Sequence, residues 1–267
     1  MQMKIFLITL LLLCTVSSSF AVGDYSTGDY LYNWAISGLN MRTKPDAKSS
    51  KIINISFGEK VKIVDDQPYS YPFRYTMVKS KNPDSTVQWE IDGHWVKVEY
   101  LDQVGYVFDG YLSKLPVMTN APEHNPYLSL ELIKEYGEKN WGGLSEETTI
   151  NTLNFEDKSR DPDKGHSSSY TLTFKNGAYY EDVEESFSGY VTLFVKDISL
   201  EEAYLIFNAL TGFEYKLKVN GERENYGMGA HLTSQKEDEL HFIGAGMTSI
   251  NIKKVDGGVI IQLGGGC

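Results

Sequence analysis

The apolar residues of this chain alternate with polar ones over short segments that end at tight turns, and this pattern restricts the fold more than any other feature. In residues 39–66, LNMRTKPDAKSSKIINISFGEKVKIVDD, the alternation stops at Pro45-Asp46 and resumes twice downstream. A period of two predicts β-strands with one buried face. Strands of about five residues can bury that face only by curling into a small barrel. Three glycines stand at the expected corners of this barrel: Gly58, Gly93 and Gly105.

The first 21 residues have the pattern of a secretory signal. Lys4 precedes the apolar run IFLITLLLLC, and Ser19 and Ala21 occupy the small-residue positions that a signal peptidase prefers. The run is shorter than the roughly 20 apolar residues that a membrane-spanning helix needs. We therefore expect cleavage near Val22, export to the periplasm or the cell exterior, and no membrane span in the mature protein.

The mature protein is predicted to lack an internal disulfide. Cleavage would remove Cys14 and leave Cys267 as the only thiol. Cys267 follows three glycines, which predicts a mobile tail that cannot hold the thiol against a catalytic base. Oxidation of this thiol, or its pairing with another molecule, stays open.

Charge is divided unevenly along the chain. Residues 22–120 carry 11 Lys and Arg against 12 Asp and Glu, whereas residues 121–267 carry 13 against 24. An acidic surface repels phosphate backbones, which argues against nucleic-acid binding. The segment LPVMTNAPEHNPYL, residues 115–128, contains three prolines and little periodicity, and it marks a boundary. We predict a signal peptide at 1–21, one domain at 22–120 and an acidic domain at 121–267.

Strand and turn signals in the acidic half predict an antiparallel sheet. Hairpins turn at Asn176-Gly177 and at Asp256-Gly257, each between alternating segments. Further strands are expected at YVTLFV and FEYKLKV. The charged run EDVEE, residues 181–185, is expected on a solvated strand edge, where charge discourages aggregation.

Helices are predicted at two places in the acidic half. Asn125 and Pro126 favour a helix start ahead of YLSLELIKEYGEKN, in which Gly137 weakens the pattern. Ser199 and Glu202 form a capping box in front of a second, better-marked helix. The predicted fold class is therefore mainly β, with a small N-terminal barrel followed by an α+β domain that has an antiparallel sheet and one or two helices.

Residues 38–115 resemble a bacterial SH3 domain of the kind found in exported cell-envelope proteins. The motifs follow the family's order: Leu39-Asn40-Met41-Arg42 with a turn at Pro45, Gly58-Glu59-Lys60-Val61, GHWVKV at 93–98, and Gly105-Tyr106-Val107 with Tyr111-Leu112. The resemblance implies an SH3-like barrel that binds a cell-wall peptide or an extended protein segment, without catalysis or a cofactor. It implies Trp95, Tyr106 and Tyr111 as ligand-binding candidates, although Trp95 and Tyr106 equally suit the core.

The chain departs from the family pattern by an insertion at residues 67–92. This segment, QPYSYPFRYTMVKSKNPDSTVQWEID, is rich in aromatic residues. One interpretation is an extended hairpin whose rings pack on the barrel, because strand aromatics are usually core. The other is an aromatic binding lip, which adds Trp89 and Tyr71 to the ligand-binding candidates. An insertion of this length could cover or replace the family's groove.

A fainter similarity covers residues 190–219. The succession of a strand, Asp197, a capped helix and a second strand entered at Thr211-Gly212 is similar to the short periplasmic domain at the front of secretins and TonB-dependent transporters. Many strand-helix-strand units share these motifs, so the similarity assigns no residue roles.

Catalytic and metal-binding patterns are weak. Exported proteins with an SH3 domain often carry a Cys-His wall peptidase, but Cys267 is the only mature cysteine. His231, His241 and Asp238 could meet across a hairpin and are the only basis for an unfamiliar hydrolase. We expect no metal site. The favoured function is that of an exported, non-enzymatic binding protein, and the alternative is an adaptor or inhibitor whose acidic domain meets a basic partner.

Overall fold

The computed structural model describes residues 25–67, 69, 73–79, 88–117, 128–152, 167–185, 188–211, 231–243 and 249–266. The strands of the first half are β1 Tyr30–Asn33, β2 Leu39–Arg42, β3 Lys51–Ile55, β4 Lys60–Asp65, β5 Phe73–Lys79, β6 Gln88–Gly93, β7 Trp95–Tyr100, β8 Gln103–Phe108 and β9 Leu112–Ser113. Those of the second half are β10 Leu144–Thr152, β11 Ser167–Phe174, β12 Tyr179–Glu185, β13 Ser188–Lys196, β14 His231–Lys236, β15 Glu239–Ile243, β16 Ser249–Val255 and β17 Gly258–Gly266. The helices are α1 Leu130–Asn140 and α2 Leu200–Thr211, with a short 3-10 helix at Asp109–Tyr111.

The N-terminal strands form a small barrel. Its seven strands are hydrogen-bonded in the order β3-β2-β8-β7-β4-β1-β9. The inward positions of the alternating pattern make up its core: Leu31, Ala35, Leu39, Met41, Ile55, Val61, Ile63, Val96, Val98, Val107 and Leu112. Gly105 lies inside β8 and not at a corner as predicted; it allows β8 to approach β2, since a Cβ there would lie 2.6 Å from Cγ of Met41. The predicted barrel is confirmed.

The insertion contributes a separate two-stranded antiparallel sheet, made of β5 and β6. This hairpin does not continue the barrel sheet and lies beside β14 of the second half. Trp89 on β6 packs edge-on against Tyr204 of α2, with ring centroids 4.3 Å apart. The hairpin therefore bridges the barrel and the second half of the chain.

The second half is built on an eight-stranded antiparallel sheet in the order β10-β11-β12-β13-β17-β16-β15-β14. Along β15, β16 and β17, buried residues alternate with half-buried or exposed ones, so one face of the sheet is buried and the other is more open to water. The buried row crosses the sheet through Tyr180, Leu193, Ile261, Ile252 and Leu240, which stand in register. Helices α1 and α2 contribute to the same cluster of buried residues. The predicted fold class, mainly β with an α+β second part, is confirmed.

Helix α1 begins later than the sequence indicates. Its N-cap is Ser129, whose hydroxyl accepts a hydrogen bond from the backbone N–H of Leu132, so the predicted start at Asn125 and Pro126 is wrong. The helix continues through Gly137 to Asn140. A Cβ on Gly137 would lie 2.1 Å from Cε1 of Phe174, so this glycine allows the helix to approach β11 closely.

Helix α2 begins with the predicted capping box. The hydroxyl of Ser199 accepts from the N–H of Glu202 at 3.1 Å, and Oε2 of Glu202 accepts from the N–H of Ser199 at 3.0 Å. Both predicted hairpins are also confirmed, with Gly177 and Gly257 in the left-handed region at φ +94° and +78°. Within the described residues, no helix is long and apolar enough to cross a membrane.

Two expectations about the second half are wrong. The run EDVEE lies in β12, an interior strand between β11 and β13, so its charges are carried on a central strand and not at an edge. Gly264, Gly265 and Gly266 belong to β17 and pair with β13, so they do not form a mobile tail. The predicted strand FEYKLKV and Cys267 lie outside the described residues, as does most of the boundary at 115–128. The division at residue 120 stays a prediction.

The two halves share one cluster of buried residues, which we call the shared core. From the first half it contains Trp34, Trp89, Ile91, Phe108 and Val117, and from the second it contains residues of α1, α2 and the sheet, including Tyr136, Leu193, Tyr204, Phe207 and Phe242. A buried hydrogen bond of 2.6 Å from Oγ of Ser113 to Oε1 of Glu202 crosses the same junction. The second half of the protein thus covers one side of the barrel, where β6 and the 3-10 helix lie.

Candidate ligand-binding surface of the barrel

A pair of tyrosines lies on the outer face of the barrel. Tyr106 points outward on β8 because its neighbours Gly105 and Val107 face the barrel core. The ring of Tyr69 packs edge-on against that of Tyr106, with centroids 5.0 Å apart. Tyr106 stands in register with Lys97 on β7 and with Arg42 on β2. We call Tyr69 and Tyr106 the tyrosine pair.

Two hydrogen bonds hold Tyr69 in this position. Its N–H donates to the carbonyl oxygen of Trp95 at 3.0 Å, and its hydroxyl donates to Oδ2 of Asp65 at 2.5 Å. Because the bond to Asp65 favours the neutral phenol, it raises the pKa of Tyr69 to about 12. The same bond, followed by the backbone N–H of Gln67, lowers the pKa of the Asp65 carboxyl. Tyr69 is still 39% exposed, so a fixed ring is presented to solvent.

The surroundings of the tyrosine pair offer both apolar and polar contacts. Asp65 and Lys97 stand opposite each other across β4 and β7, next to the pair. Nη1 of Arg42 donates to the carbonyl of Ser49 at 2.6 Å, which fixes the guanidinium at the edge of the surface. Ring faces with flanking carboxylate and ammonium groups suit an extended peptide, whose side chains pack on the rings while its polar groups reach the charges.

The structure places the five ligand-binding residues predicted from sequence in different environments. Tyr106 lies on the outer face and is half-buried. Trp95 is 8% exposed and Trp89 is 2% exposed, which puts both rings in the interior. Tyr111 is half-buried, packs edge-on against Phe108 and touches both hydrophobic clusters. Tyr71 lies outside the described residues.

For Trp89 the structure overturns the idea of an exposed binding lip. The ring is covered by Tyr204 and belongs to the shared core, because the hairpin that carries it leans on α2. The exposed aromatic residue of the insertion that lies beside Tyr106 is Tyr69. Tyr69 is not among the ligand-binding residues predicted from the sequence. Its position in the aromatic insertion was visible in the sequence, but its partner on β8 was not.

The carboxylate of Asp109 is buried in the barrel and is held by two hydrogen bonds. Oδ1 of Asp109 accepts from the N–H of His94 at 2.6 Å, and its Oδ2 accepts from the hydroxyl of Tyr25 at 2.8 Å. Burial raises the pKa of the Asp109 carboxyl and of the Tyr25 hydroxyl. The bond from Tyr25 ties the start of the described chain to the 3-10 helix after β8.

The histidine cluster considered for a hydrolase is not assembled as a metal site in the described part of the chain. Nε2 of His241 lies 3.0 Å from Oγ of Ser249, and Asp238 is in the exposed turn between β14 and β15. The backbone of His231 pairs with Ile243. Among described residues there is no group of three His, Cys, Asp or Glu side chains that could hold a metal ion.

Comparison with known protein families assigns the barrel. The sequence model of the bacterial SH3 domain matches residues 37–113. This segment spans β2 to β9 and contains the tyrosine pair. Residues 37–113 form a bacterial SH3 domain. No curated protein and no solved structure is significantly similar to the chain.

The SH3 assignment accounts for the four motifs that the sequence displays. Within the SH3 domain, LNMR is β2, the glycine of GEKV precedes β4 in a left-handed turn at φ +83°, and GYVF is the second half of β8. This SH3 domain carries the β5–β6 insertion between β4 and β7, and its 3-10 helix contacts α2. What remains open to a partner, among the described residues, includes the outer face around the tyrosine pair.

Proposed function

We propose that this protein is an exported, non-enzymatic binding protein whose SH3 domain holds a cell-wall peptide or an extended protein segment at the tyrosine pair. The observation that carries the proposal is the fixed, solvent-facing ring of Tyr69 against Tyr106 within a bacterial SH3 domain. Export is supported by the signal-like pattern of residues 1–21.

The geometry favours an extended ligand over a compact one. Tyr106 lies on the outer strand surface of the barrel, and Lys97 and Arg42 lie in line with it across three strands. An extended peptide laid over such a surface packs its side chains on the rings and directs its polar groups to the flanking charges. Peptide stems of the cell wall and unstructured segments of exported proteins both have this form.

The test is co-sedimentation of the mature protein, residues 22–267, with isolated peptidoglycan sacculi at low and near-physiological salt. The variants are Tyr69→Ala and Tyr106→Ala. The matched control is Tyr30→Ala, since Tyr30 is an exposed tyrosine of the barrel on another strand, at 53% exposure. We expect the wild type and the control to pellet and both site variants to lose most of the pelleted fraction, at both salts.

If the wild type stays in the supernatant at both salts, the cell-wall ligand is excluded, and the same variants are then compared in binding to exported proteins. Equal pelleting by wild type and both site variants would overturn the tyrosine pair as the site. Release of soluble wall fragments by the wild type would contradict the non-enzymatic assignment.

A second candidate is an adaptor whose acidic half meets a basic partner. It is favoured by the 24 acidic against 13 basic residues in 121–267. Such a complex would weaken steeply as salt is raised, because screening shortens the range of the charges. Binding that is salt-sensitive and indifferent to Tyr69→Ala would favour this candidate.

A further inference from the structure

The open face of the C-terminal sheet contains a depression lined mainly by polar residue types, which the SH3 domain does not explain. It has a volume of about 170 Å³ and opens to solvent. Four strands, β13, β15, β16 and β17, supply its lining: Tyr190, His241, Ser249, Asn251, Gln262 and Gly264. It lies on the side of the sheet opposite the buried row that packs on the helices.

The register of the sheet brings these residues together in two adjacent rows. Gln262, Asn251 and His241 stand directly opposite one another on β17, β16 and β15. In the next row, Tyr190 stands opposite Gly264, and Gly264 stands opposite Ser249. Residues directly opposite on neighbouring strands are about 5 Å apart at Cβ, so one small ligand can touch several of them at once.

Gly264 keeps the centre of the second row open. A Cβ at this position would meet only Cβ of Tyr190 at 3.6 Å and the carbonyl of Gly189 at 3.7 Å, which are ordinary contact distances. Packing therefore does not demand a glycine here. Its effect is to leave an empty position between Tyr190 and Ser249, at the place where a side chain would fill the depression.

Hydrogen bonds hold the polar side chains of the depression in place, and one of these side chains has an oxygen that accepts no hydrogen bond within the described residues. Nε2 of His241 lies 3.0 Å from Oγ of Ser249, and Nε2 of Gln262 donates to Oγ1 of Thr192 at 3.3 Å. The side chain of Asn251 hydrogen-bonds to Glu239. Within the described residues, the buried Oδ1 of Asn251 has no hydrogen-bond partner. A buried amide oxygen without a partner is costly, and a small rotation would offer it to a bound hydroxyl.

We infer that this depression binds a neutral saccharide. Two amides, a hydroxyl and an imidazole supply the alternating donors and acceptors that vicinal hydroxyl groups require, and Tyr190 supplies a ring for the apolar face of a sugar. None of the six lining residues is Asp, Glu, Lys or Arg. The acidic charge of this half repels an anionic ligand. The volume suits one sugar ring and is below the roughly 300–1,000 Å³ of pockets that enclose drug-sized ligands.

The saccharide site is independent of the peptide site proposed for the SH3 domain. No residue of the tyrosine pair or of its surroundings lines the depression. Loss of one activity by substitution therefore leaves the other measurable in the same protein.

The test is titration calorimetry of the mature protein with three soluble tetrasaccharides: one of N-acetylglucosamine, one of glucose, and one of galacturonic acid as the anionic comparison. Gly264→Val places a side chain in the depression, and its Cβ meets neighbouring atoms only at ordinary contact distances. Gly265→Val is the matched control, because Gly265 is the next residue of β17, has nothing within 4 Å of an added Cβ, and points to the other side of the strand. Gln262→Ala removes one of the amides.

We expect at least one neutral tetrasaccharide to bind the wild type, with affinity lowered roughly tenfold or more by Gly264→Val, which corresponds to about 1.4 kcal/mol. Gly265→Val should retain wild-type affinity, and Gln262→Ala should lie between the two. Absence of binding to both neutral sugars, preference for the anionic sugar, or equal affinity in the two glycine variants would each overturn the inference. Thermal melting of each variant confirms that the comparison is made on folded protein.

Discussion

The hydroxyl of Ser113, in the last strand of the SH3 domain, donates a 2.6 Å hydrogen bond to Oε1 of Glu202 on α2, and both side chains are buried. The other carboxylate oxygen of Glu202 caps its own helix. One carboxylate therefore serves two purposes, since it closes the start of α2 and fastens that helix to the SH3 domain.

Removing the hydroxyl with Ser113→Ala leaves a buried carboxylate oxygen without this donor. We expect the free energy of unfolding to fall by about 1–3 kcal/mol. Ser188→Ala is the matched control, because Ser188 donates a 2.8 Å bond to Glu185 at an exposed site, and this change should stay within about 0.5 kcal/mol. Urea unfolding of residues 22–267 measures the change in the free energy of unfolding for both variants. Equal changes would show that the buried bond of Ser113 contributes no more to stability than the exposed bond of Ser188.

The buried carboxyl of Glu201 should make the protein less stable as pH rises. Burial raises the pKa of its carboxyl, and within the described residues its Oε2 has no hydrogen-bond partner. The folded pKa lies above the unfolded value of about 4.3, so the folded state binds the extra proton and stability falls as pH rises through the folded pKa. Glu201→Gln should flatten this fall when urea midpoints are compared from acidic to neutral pH.

Glu131→Gln provides a control of opposite sign. Hydrogen bonds from its own backbone N–H and from Ser129 at the start of α1 lower the pKa of Glu131. Its contribution is therefore present above the unfolded pKa and is lost as pH falls. If Glu201→Gln retained the wild-type slope above pH 4, the raised pKa of Glu201 would not contribute to stability.

Gly137→Ala should destabilise the protein although alanine is the better helix former. The substitution would ordinarily gain about 1 kcal/mol in a helix interior. Here the new methyl would lie 2.1 Å from the Phe174 ring, and overpacking of this kind costs about 1–3 kcal/mol or more. We expect a net loss in calorimetric melting, with Lys139→Ala on the exposed side of α1 close to wild type. A stabilised Gly137→Ala would mean that α1 can move away from β11.

Asp65→Asn should bring the pKa of Tyr69 down from about 12 towards its ordinary value near 10, because the carboxylate that favours the neutral phenol is removed. The pH titration of tyrosine ring carbons by NMR measures this. Asp66→Asn is the control, since Asp66 is adjacent but accepts from the backbone of Thr27. If the Tyr69 resonance titrated with the same midpoint in Asp65→Asn as in the wild type, the hydrogen bond between Tyr69 and Asp65 would be contradicted.

The features predicted correctly from sequence are those that local chemistry determines. Gly177 and Gly257 supply the left-handed backbone that their turns need, and Ser199 with Glu202 satisfies free N–H groups of a helix start within four residues. The predicted start of α1 is wrong because several polar residues near it can cap a helix, and the sequence pattern does not rank Ser129, the observed cap, above Asn125.

The features that sequence could not supply depend on partners far along the chain. Trp89 is buried because Tyr204, more than a hundred residues later, covers it, and the ring of Tyr69 packs on Tyr106 of β8, four strands further along the chain. The C-terminal glycines suggest flexibility by composition, but pairing with β13 overrides that tendency. The charges of β12 are tolerated on an interior strand because their side chains stay half-buried at Glu181 and Asp182 and exposed at Glu184 and Glu185.

The shared core has a consequence for how this protein can vary in evolution. Trp34, Trp89 and Phe108 would be left facing water if the second half were exchanged for an unrelated one. A recombination event at the boundary would produce two halves with exposed apolar surfaces, which favours misfolding and aggregation. We therefore expect the two halves to be inherited together, and descendants that keep the β5–β6 hairpin should also keep α2.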